Sequence, residues 1–162
     1  MPLLTRKKTI LLKQETSVGS DASPTGGANA IQVRELEITP LESDVVEREL
    51  IKAHLGNFEQ LLANQRALVS FTVELSASGT AGTAPQYGPA LEACAMGVTN
   101  VGSTSDTYAP ISDPSAMKSC TIYVNVDGVN HALTGCRGTF SINCELNEIP
   151  TISFEMTGKY NN

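Results

Sequence analysis

The chain has 162 residues, of which 41% are hydrophobic and 17% are charged, and its formal net charge is −6. This length fits one domain spanning residues 1–162 with one core, and the apolar content excludes an intrinsically disordered chain. The charged fraction lies below the ~25% of an average soluble protein, which indicates that other subunits cover much of the surface. The early apolar run at residues 9–12 is too short for a signal sequence or a membrane span, so we expect no membrane association.

The sign of the charge changes along the chain. Residues 1–13 carry four basic side chains and no acidic one. Residues 35–49 carry six acidic side chains, with Arg48 as the only opposing charge. A protein that grips DNA needs clustered Lys and Arg against the phosphates, so the acidic body is predicted to repel DNA. The alternative, that residues 35–49 are only a solvated acidic face, stays open.

The first part of the chain contains one ambiguous segment. Alternation predicts strands at residues 9–13 and 31–39, the second ended by Pro40, with a loop rich in Gly, Ser and Pro between them. Asp44 and Glu47 have the spacing of a capping box, and apolar residues at helical spacing follow them. An amphipathic helix over residues 43–55 is therefore one interpretation.

The middle of the chain is predicted to contain one strand and one short helix. Residues 66–76 alternate between apolar and polar side chains, as a half-buried strand does. Residues 76–85 are rich in Gly, Ser and Thr and are predicted to form a flexible linker. Pro89 suits the first turn of a helix over residues 89–96, and Gly97 suits the left-handed position after it.

The last 44 residues show the strongest strand pattern. Apolar side chains alternate with polar ones before Asp127-Gly128, a dipeptide that supplies the positive φ values of a two-residue hairpin turn. The alternation resumes on the return strand, continues to Cys144 and restarts after Pro150. This pattern predicts an antiparallel sheet with one solvated face.

The sequence offers little for catalysis or metal binding. The two histidines, His54 and His131, lie far apart in the sequence, and the glycines of residues 79–88 fit neither a phosphate-binding nor a dinucleotide-binding motif. Four cysteines without a C-x-x-C pair are predicted to be buried free thiols; they are Cys94, Cys120, Cys136 and Cys144. We therefore expect no enzyme, no cofactor and no metal site.

The order of these pieces resembles a known family. Residues 133–140 and 149–160 are similar to the end of major tail tube proteins of long-tailed, non-contractile bacteriophages. Residues 10–31 are similar to the N-terminal strand and proline-bearing loop of that family, and residues 79–94 to its glycine-rich linker and short helix. The resemblance implies a mainly β fold, an antiparallel β-sandwich or distorted barrel with one short α-helix.

The resemblance also implies a structural function. Six copies would form a ring, and stacked rings would form a hollow tube that carries viral DNA into the host without binding it specifically. The other implied partners are the tape measure, terminator and distal tail proteins. The protein would be assembled in the host cytoplasm and end in the tail of the virion. Two alternatives stay open: a tail terminator that stops at one ring, and a monomeric β-sandwich module for binding or adhesion.

Ring stacking is assigned by the resemblance to two segments. These are an N-terminal arm at residues 1–13 and an extended loop at about residues 48–64, with a strand rather than a helix near residues 44–49. The opposite charges of the first segment and of residues 42–49 predict that they pair between neighbouring subunits, where repetition would multiply weak contacts. The candidate stacking residues are Arg6, Lys7, Lys8, Glu42, Asp44, Glu47, Glu49, Leu50, Ile51, Leu55, Phe58, Leu61 and Leu62.

Overall fold

The structure is a computed structural model that describes residues 6–48, 50, 51, 53, 56 and 59–161. The predicted class, mainly β and antiparallel with few helices, is confirmed. The strands are β1 Lys8–Gln14, β2 Ala30–Ile31, β3 Glu35–Glu47, β4 Gln60–Glu74, β5 Met96–Val101, β6 Ser105–Pro110, β7 Cys120–Val126, β8 Val129–Asn143 and β9 Thr151–Asn161. The helices are α1 Gly26–Asn29 and α2 Gly88–Ala93, with a 3-10 turn at Pro114–Ala116. Within the described residues, no helix has the length and apolar character needed to cross a bilayer.

Seven strands form one antiparallel sheet in the order β2-β1-β7-β8-β9-β4-β3, and β5 and β6 form a separate hairpin. Strand β8 pairs with β7 only as far as Cys136, and the β8–β9 register shifts between Thr134 and Arg137. Such irregularities bend a sheet. The bend divides it into a first half-sheet, containing β2, β1, β7 and residues 129–136 of β8, and a second half-sheet, containing residues 137–143 of β8, residues 151–157 of β9, β4 and β3.

The two half-sheets enclose one core. Lys8 Nζ donates to the Leu36 carbonyl at 3.1 Å, so β1, next to the short edge strand β2, approaches β3 at the other edge, as in a distorted barrel. The ring of Phe154 stacks on that of Phe71 with centroids 5.1 Å apart, and Phe140 and Tyr87 pack near it. Burial contributes about 1.5–3 kcal/mol for each large apolar side chain. The opposing side chains of the first half-sheet are also fully buried; they are Ile10, Ile122, Val124 and Leu133.

A buried carboxylate fixes the loop that follows β1. Glu15 accepts hydrogen bonds from the backbone N–H groups of Gly19 and Gly135, at 2.8 and 2.7 Å, and from the hydroxyls of Ser119 and Thr121, at 2.6 and 2.9 Å. Burial alone would raise the pKa of Glu15, but the four hydrogen bonds favour its charged form and together lower that pKa. The ionised carboxylate therefore joins the loop to β7 and β8.

Strands β3 and β4 extend beyond the body as a two-stranded ribbon. Strand β4 pairs with β9 from Ala67 onward, so among the described residues the segment 60–66 pairs with β3 alone. We call residues 40–47 and 60–66 the arm.

The prediction that Pro40 ends a strand is wrong, because β3 is an edge strand with a register shift just after Thr39, where a missing N–H donor is tolerated. The helical interpretation is wrong for residues 43–47, which lie in β3, and residues 60–64 of the expected loop lie in β4.

Residues 76–110 differ from prediction in three details. Helix α2 is shorter than residues 89–96, and its left-handed position belongs to Ala95, with φ of 61°, rather than to Gly97. Residues 96–110 contain the β5–β6 hairpin, which the sequence does not predict. The segment predicted as a linker is held against this hairpin, because Asn100 Nδ2 donates to the Gly82 carbonyl at 2.7 Å.

Candidate assembly surfaces

The acidic side chains of the arm have partners within the same subunit. Arg66 lies 3.2 Å from Glu42 and 3.8 Å from Asp44, and Asn64 Nδ2 donates to Asp44 at 2.9 Å. The hydrogen bond and the charge of Glu42 raise the pKa of Arg66. Glu47 accepts from Gln60 Nε2 at 3.1 Å. These pairs cross the ribbon from β3 to β4 and help to hold it extended.

The apolar side chains of the arm lie on both of its faces. Val45 pairs with Leu62 and Val46 with Leu61, and neighbouring residues of a strand point to opposite faces. All four side chains are half exposed, between 50% and 56%. Of the other predicted stacking residues, Leu50 and Ile51 are also exposed, and Glu49, Leu55 and Phe58 lie outside the described residues.

The basic residues near the N-terminus contact other parts of the subunit than the arm. Lys7 lies 3.8 Å from Asp127 in the β7–β8 turn, and Lys8 reaches the Leu36 carbonyl. Arg6 is exposed. In the part of the chain that the structure describes, no ion pair joins these three residues to Glu42, Asp44 or Glu47. The predicted pairing between neighbouring subunits therefore stays a prediction.

One surface that the sequence does not define is the outer side of the second half-sheet. Its side chains point away from the core on four adjacent strands, as in the row Glu37, Ser70, Glu155 and Thr139. Hydroxyls and carboxylates dominate it, and a hydrogen bond of 2.9 Å joins the hydroxyls of its Thr72 and Ser153. We call this surface the polar face; its residues are Glu35, Glu37, Thr39, Leu68, Ser70, Thr72, Glu74, Arg137, Thr139, Ser141, Asn143, Thr151, Ser153, Glu155 and Thr157.

The polar face carries one basic side chain, Arg137, among the residues named above. Its guanidinium donates to the carbonyls of Met117 and Lys118, each at 3.2 Å, at the margin of the face. The carboxylates of Glu35, Glu37, Glu74 and Glu155 are spread over the rest. Lys8 of β1 also lies against this surface, beside Glu35 and Glu37, and donates to the Leu36 carbonyl. The surface is therefore polar and acidic, and the two cations named here are already hydrogen bonded.

A second surface is an apolar groove of about 660 Å³ at the end of β4 that lies opposite the arm. Its walls are formed by residues 75–85, helix α2 and the β5–β6 hairpin. The lining also includes Phe140 and Ile142 near the end of β8, and Ile152 at the start of β9. Asp106 Oδ2 and the Tyr108 hydroxyl are buried there without a hydrogen-bond partner among the described residues. Burial, followed by the charges of nearby acids, raises the pKa of Tyr108 to about 12. We call this surface the groove.

The cysteines and histidines that could bind a metal or react as thiols do not cluster among the described residues. The prediction of buried thiols is confirmed for Cys120 and Cys136. Cys94 is half-buried. Cys144 is exposed, so the prediction is wrong for this residue. Burial raises the pKa of Cys94 to about 11 and that of Cys136 to about 12. Within the described ranges, no three His, Cys, Asp or Glu side chains come together as metal ligands. His54 lies outside those ranges.

The chain is thus a mainly antiparallel β protein with exposed apolar and acidic surfaces. Residues 5–161 match the family model described as phage tail tube protein, so the chain belongs to that family. The family is one of structural tail components rather than enzymes. No curated protein matches the chain significantly.

Solved structures with a similar fold come from contractile injection systems. The cap that terminates the tube of the anti-feeding prophage is 9% identical with a TM-score of 0.50, and the match covers 98% of this chain and 88% of that one. A chain of the PVC sheath–tube complex in the extended state is 8% identical over the same shares, with a TM-score of 0.51. A chain of the anti-feeding prophage baseplate is 8% identical with a TM-score of 0.52, over 100% of this chain and 93% of that one. At this identity the likeness shows the fold alone.

Proposed function

We propose that the chain is a tail tube subunit, of which six copies close into a ring and the rings stack into a hollow tube for viral DNA. The observation that carries this proposal is the polar face. It is a continuous four-stranded surface of hydroxyls and carboxylates. Arg137 at its margin and Lys8 beside Glu35 and Glu37 both donate to backbone carbonyls. Such a surface suits the wall of a channel for DNA, because it repels phosphates and offers them no cluster of Lys and Arg.

We propose that the ring closes through the two edges of the second half-sheet. Strand β3 is the last strand of the sheet, and residues 137–143 of β8 pair only with β9 among the described residues. Open edges of this kind pair readily with other strands. Head-to-tail joining of β3 from one subunit to β8 of the next would satisfy both edges and continue the polar face around the channel. The number of six copies rests on the family resemblance.

We infer that the arm and the N-terminal residues contribute to stacking between rings. The half-exposed apolar pairs of the arm supply area that a neighbouring ring would bury. Pairing of Arg6, Lys7 and Lys8 with Glu42, Asp44 and Glu47 of a neighbour is a further proposal. Such pairing competes with the partners that Lys7, Lys8 and the three acids already have within the subunit.

The remaining parts of the proposal concern the kind of tail and its partners. The sequence resemblance favours a non-contractile tail, and the similar solved structures belong to contractile systems. We propose contacts with the tape measure, terminator and distal tail proteins, assembly in the host cytoplasm, and no contact with membranes. A tube terminator is the second candidate function, because one similar chain belongs to a tube-terminating cap.

Electron microscopy of the purified protein at high concentration tests the proposal. We expect rings and tubes with a central channel. Single rings that never elongate would favour the terminator, and a persistent monomer that also fails to enter tails would refute both candidates.

A pair of charge-reversed variants tests the assignment of the channel wall. Glu37→Lys with Glu155→Lys places two cations in one row of the polar face and should slow DNA delivery by phage whose tails still assemble. Glu145→Lys with Glu148→Lys changes the net charge equally in an exposed loop and should leave delivery normal. Equal delivery by the two variants would contradict the assignment.

A further inference from the structure

Strand β3 presents open backbone groups at its outer edge. The Leu75 N–H group donates to the Pro150 carbonyl at 2.9 Å, so Leu75 and the alternate residues before it, back to Phe71, direct their backbone groups to β9. Leu36 lies opposite Phe71 on β4. The N–H and C=O groups of Leu36 therefore point away from β4, and those of Ile38 do the same two residues later.

This open edge is short because it ends at Pro40. Proline has no N–H group, and the register between β3 and β4 shifts between Thr39 and Glu42. A partner strand therefore finds regularly spaced backbone groups over residues 35–39 only. In so short a contact, each backbone group is a large part of the whole.

One of these groups already has a donor from another strand. Lys8, the first residue of β1, is exposed and its Nζ donates to the Leu36 carbonyl at 3.1 Å. Among the described residues no backbone ladder joins β1 to β3, and a cavity of about 730 Å³ lies beside the seam, lined in part by residues 8–10 and 31–34. The lysine side chain thus bridges a seam that no strand fills.

A lysine in this position protects an edge strand. The N–H donor of a paired strand lies about 2.9 Å from its carbonyl acceptor, so Lys8 Nζ occupies the place of that donor. The ammonium is also strongly hydrated, and lysine at an edge opposes pairing with a further strand. Pairing of β3 with residues 137–143 of β8 from a neighbour needs the same place at the Leu36 carbonyl. The two contacts therefore exclude each other.

We propose that Lys8 shields the edge of β3 in the free subunit and leaves the Leu36 carbonyl when β8 of a second copy of this chain pairs there. This inference deepens the proposed function and rests on it, because it names the residue that regulates ring closure. The shield raises the concentration of subunits that ring closure requires, since one hydrogen bond within the subunit is given up at each new interface.

A matched pair of lysine variants tests the shield. Lys8→Met keeps the long apolar stem and removes the ammonium. Lys13→Met removes the same charge from an exposed position near the other end of β1, opposite Thr121. We expect Lys8→Met to lower the concentration at which rings form by roughly 2- to 10-fold, the factor that corresponds to one hydrogen bond. Lys13→Met and Lys8→Arg, which keeps a cationic donor, should behave as wild type. Sedimentation over a concentration series measures the fraction of subunits in rings.

Amide hydrogen exchange shows whether the shielded edge is the one that rings use. The N–H groups of Leu36 and Ile38 should exchange rapidly in the free subunit and become protected in rings, both in wild type and in Lys8→Met. The N–H group of Glu37 faces β4 and is the internal reference, with protection in both states.

The outcomes separate the inference from the function on which it rests. An unchanged or higher ring-forming concentration for Lys8→Met would overturn the shield, as would an equal decrease in Lys13→Met, and both results leave the tail tube function standing. Rings in which Leu36 and Ile38 gain no protection would also overturn the shield, because that edge would not be in use. A failure of the wild type and of both methionine variants to form rings or tubes would overturn the inference and the function together.

Discussion

Strand β4 runs through both the arm, which contains its residues 60–66, and the body of the sheet, which contains its residues 67–74. The side chains of the two parts are buried to different extents. In the body, Val69, Phe71 and Val73 alternate with polar residues, and none is more than 3% exposed. In the arm, Leu61 and Leu62 are adjacent, point to opposite faces and stay half exposed. Alternation therefore builds a core within one subunit, whereas adjacent apolar residues in a ribbon leave both faces for other subunits to cover.

The largest expected difference between the two regions concerns their apolar side chains. Phe154→Ala should lower the free energy of unfolding of the monomer by about 3–5 kcal/mol, because it leaves a cavity beside Phe71 in a fully buried site. Leu62→Ala should lower it by less than about 0.5 kcal/mol, as at other surface positions, and should still reduce tube formation. Urea unfolding and microscopy measure the two effects, and a monomer equally destabilised by both changes would contradict the comparison.

The next largest expected effect on monomer stability concerns the buried carboxylate of Glu15, compared with that of Glu47 in the arm. Glu15→Gln should cost about 2–3 kcal/mol at neutral pH, because an amide cannot accept all the hydrogen bonds that the buried carboxylate receives. Glu47→Gln in the exposed arm is the control and should change little.

Unfolding as a function of pH checks the same carboxylate. The pKa of Glu15 is lower in the folded state than its ordinary value of 4.5, so its stabilising contribution is complete above that pH and is lost as the pH falls through the folded-state value. We expect Glu15→Gln to remove this acid-dependent part of the stability. An unchanged acid transition in the variant would show that Glu15 is not ionised in the folded protein.

The sequence predicted the body better than the arm for a physical reason. Alternation around Phe71, the Asp127-Gly128 turn and the strand after Pro150 depend on local periodicity, and all three appear in the structure. Residues 43–47 satisfied a helical capping pattern, and only pairing with β4 makes them a strand. The adjacent pairs Val45-Val46 and Leu61-Leu62 were visible in the sequence, and they fit a ribbon with two apolar faces.

The candidate surfaces were predictable only in part. Charge and apolar content marked the arm, whereas the polar face depends on the register of four strands and the groove on how the β5–β6 hairpin packs. Neither arrangement follows from local sequence. The role of Glu15 was missed as well, because three of its four donors, in Ser119, Thr121 and Gly135, lie far from it in the sequence.

A smaller effect concerns backbone conformation. Ala95 follows α2 with a positive φ of 61°, and glycine adopts this conformation without the steric cost of a Cβ. Ala95→Gly should raise the free energy of unfolding by up to about 1 kcal/mol. Asn64 has a φ of 50° in the arm, and Asn64→Gly should leave monomer stability nearly unchanged. Thermal melting of both variants measures this, and destabilisation by Ala95→Gly would argue against the left-handed cap.

The smallest expected effect on the monomer comes from the N-terminal charges. Replacing Arg6 and Lys7 by Glu should leave melting nearly unchanged, because Arg6 is exposed and Lys7 pairs with Asp127 on the surface, and Lys8 is kept because its ammonium donates to the Leu36 carbonyl. If these residues pair with the acids of a neighbour, tube growth should slow and lose its sensitivity to salt. Light scattering at about 50 and 500 mM salt, where the screening length falls from roughly 14 to 4 Å, measures this. Growth curves identical to wild type at both salts would remove electrostatic docking from the account.

Amide hydrogen exchange, compared between monomer and tube, tests the central distinction most directly. We predict that residues 67–74 of β4 are protected in both states, because their pairing with β9 and the core lies within one subunit. Residues 60–66 of the same strand should exchange rapidly in the monomer and become protected in the tube, because their apolar faces are covered only there. Strong protection of residues 60–66 in the monomer, or no gain in the tube, would contradict the account.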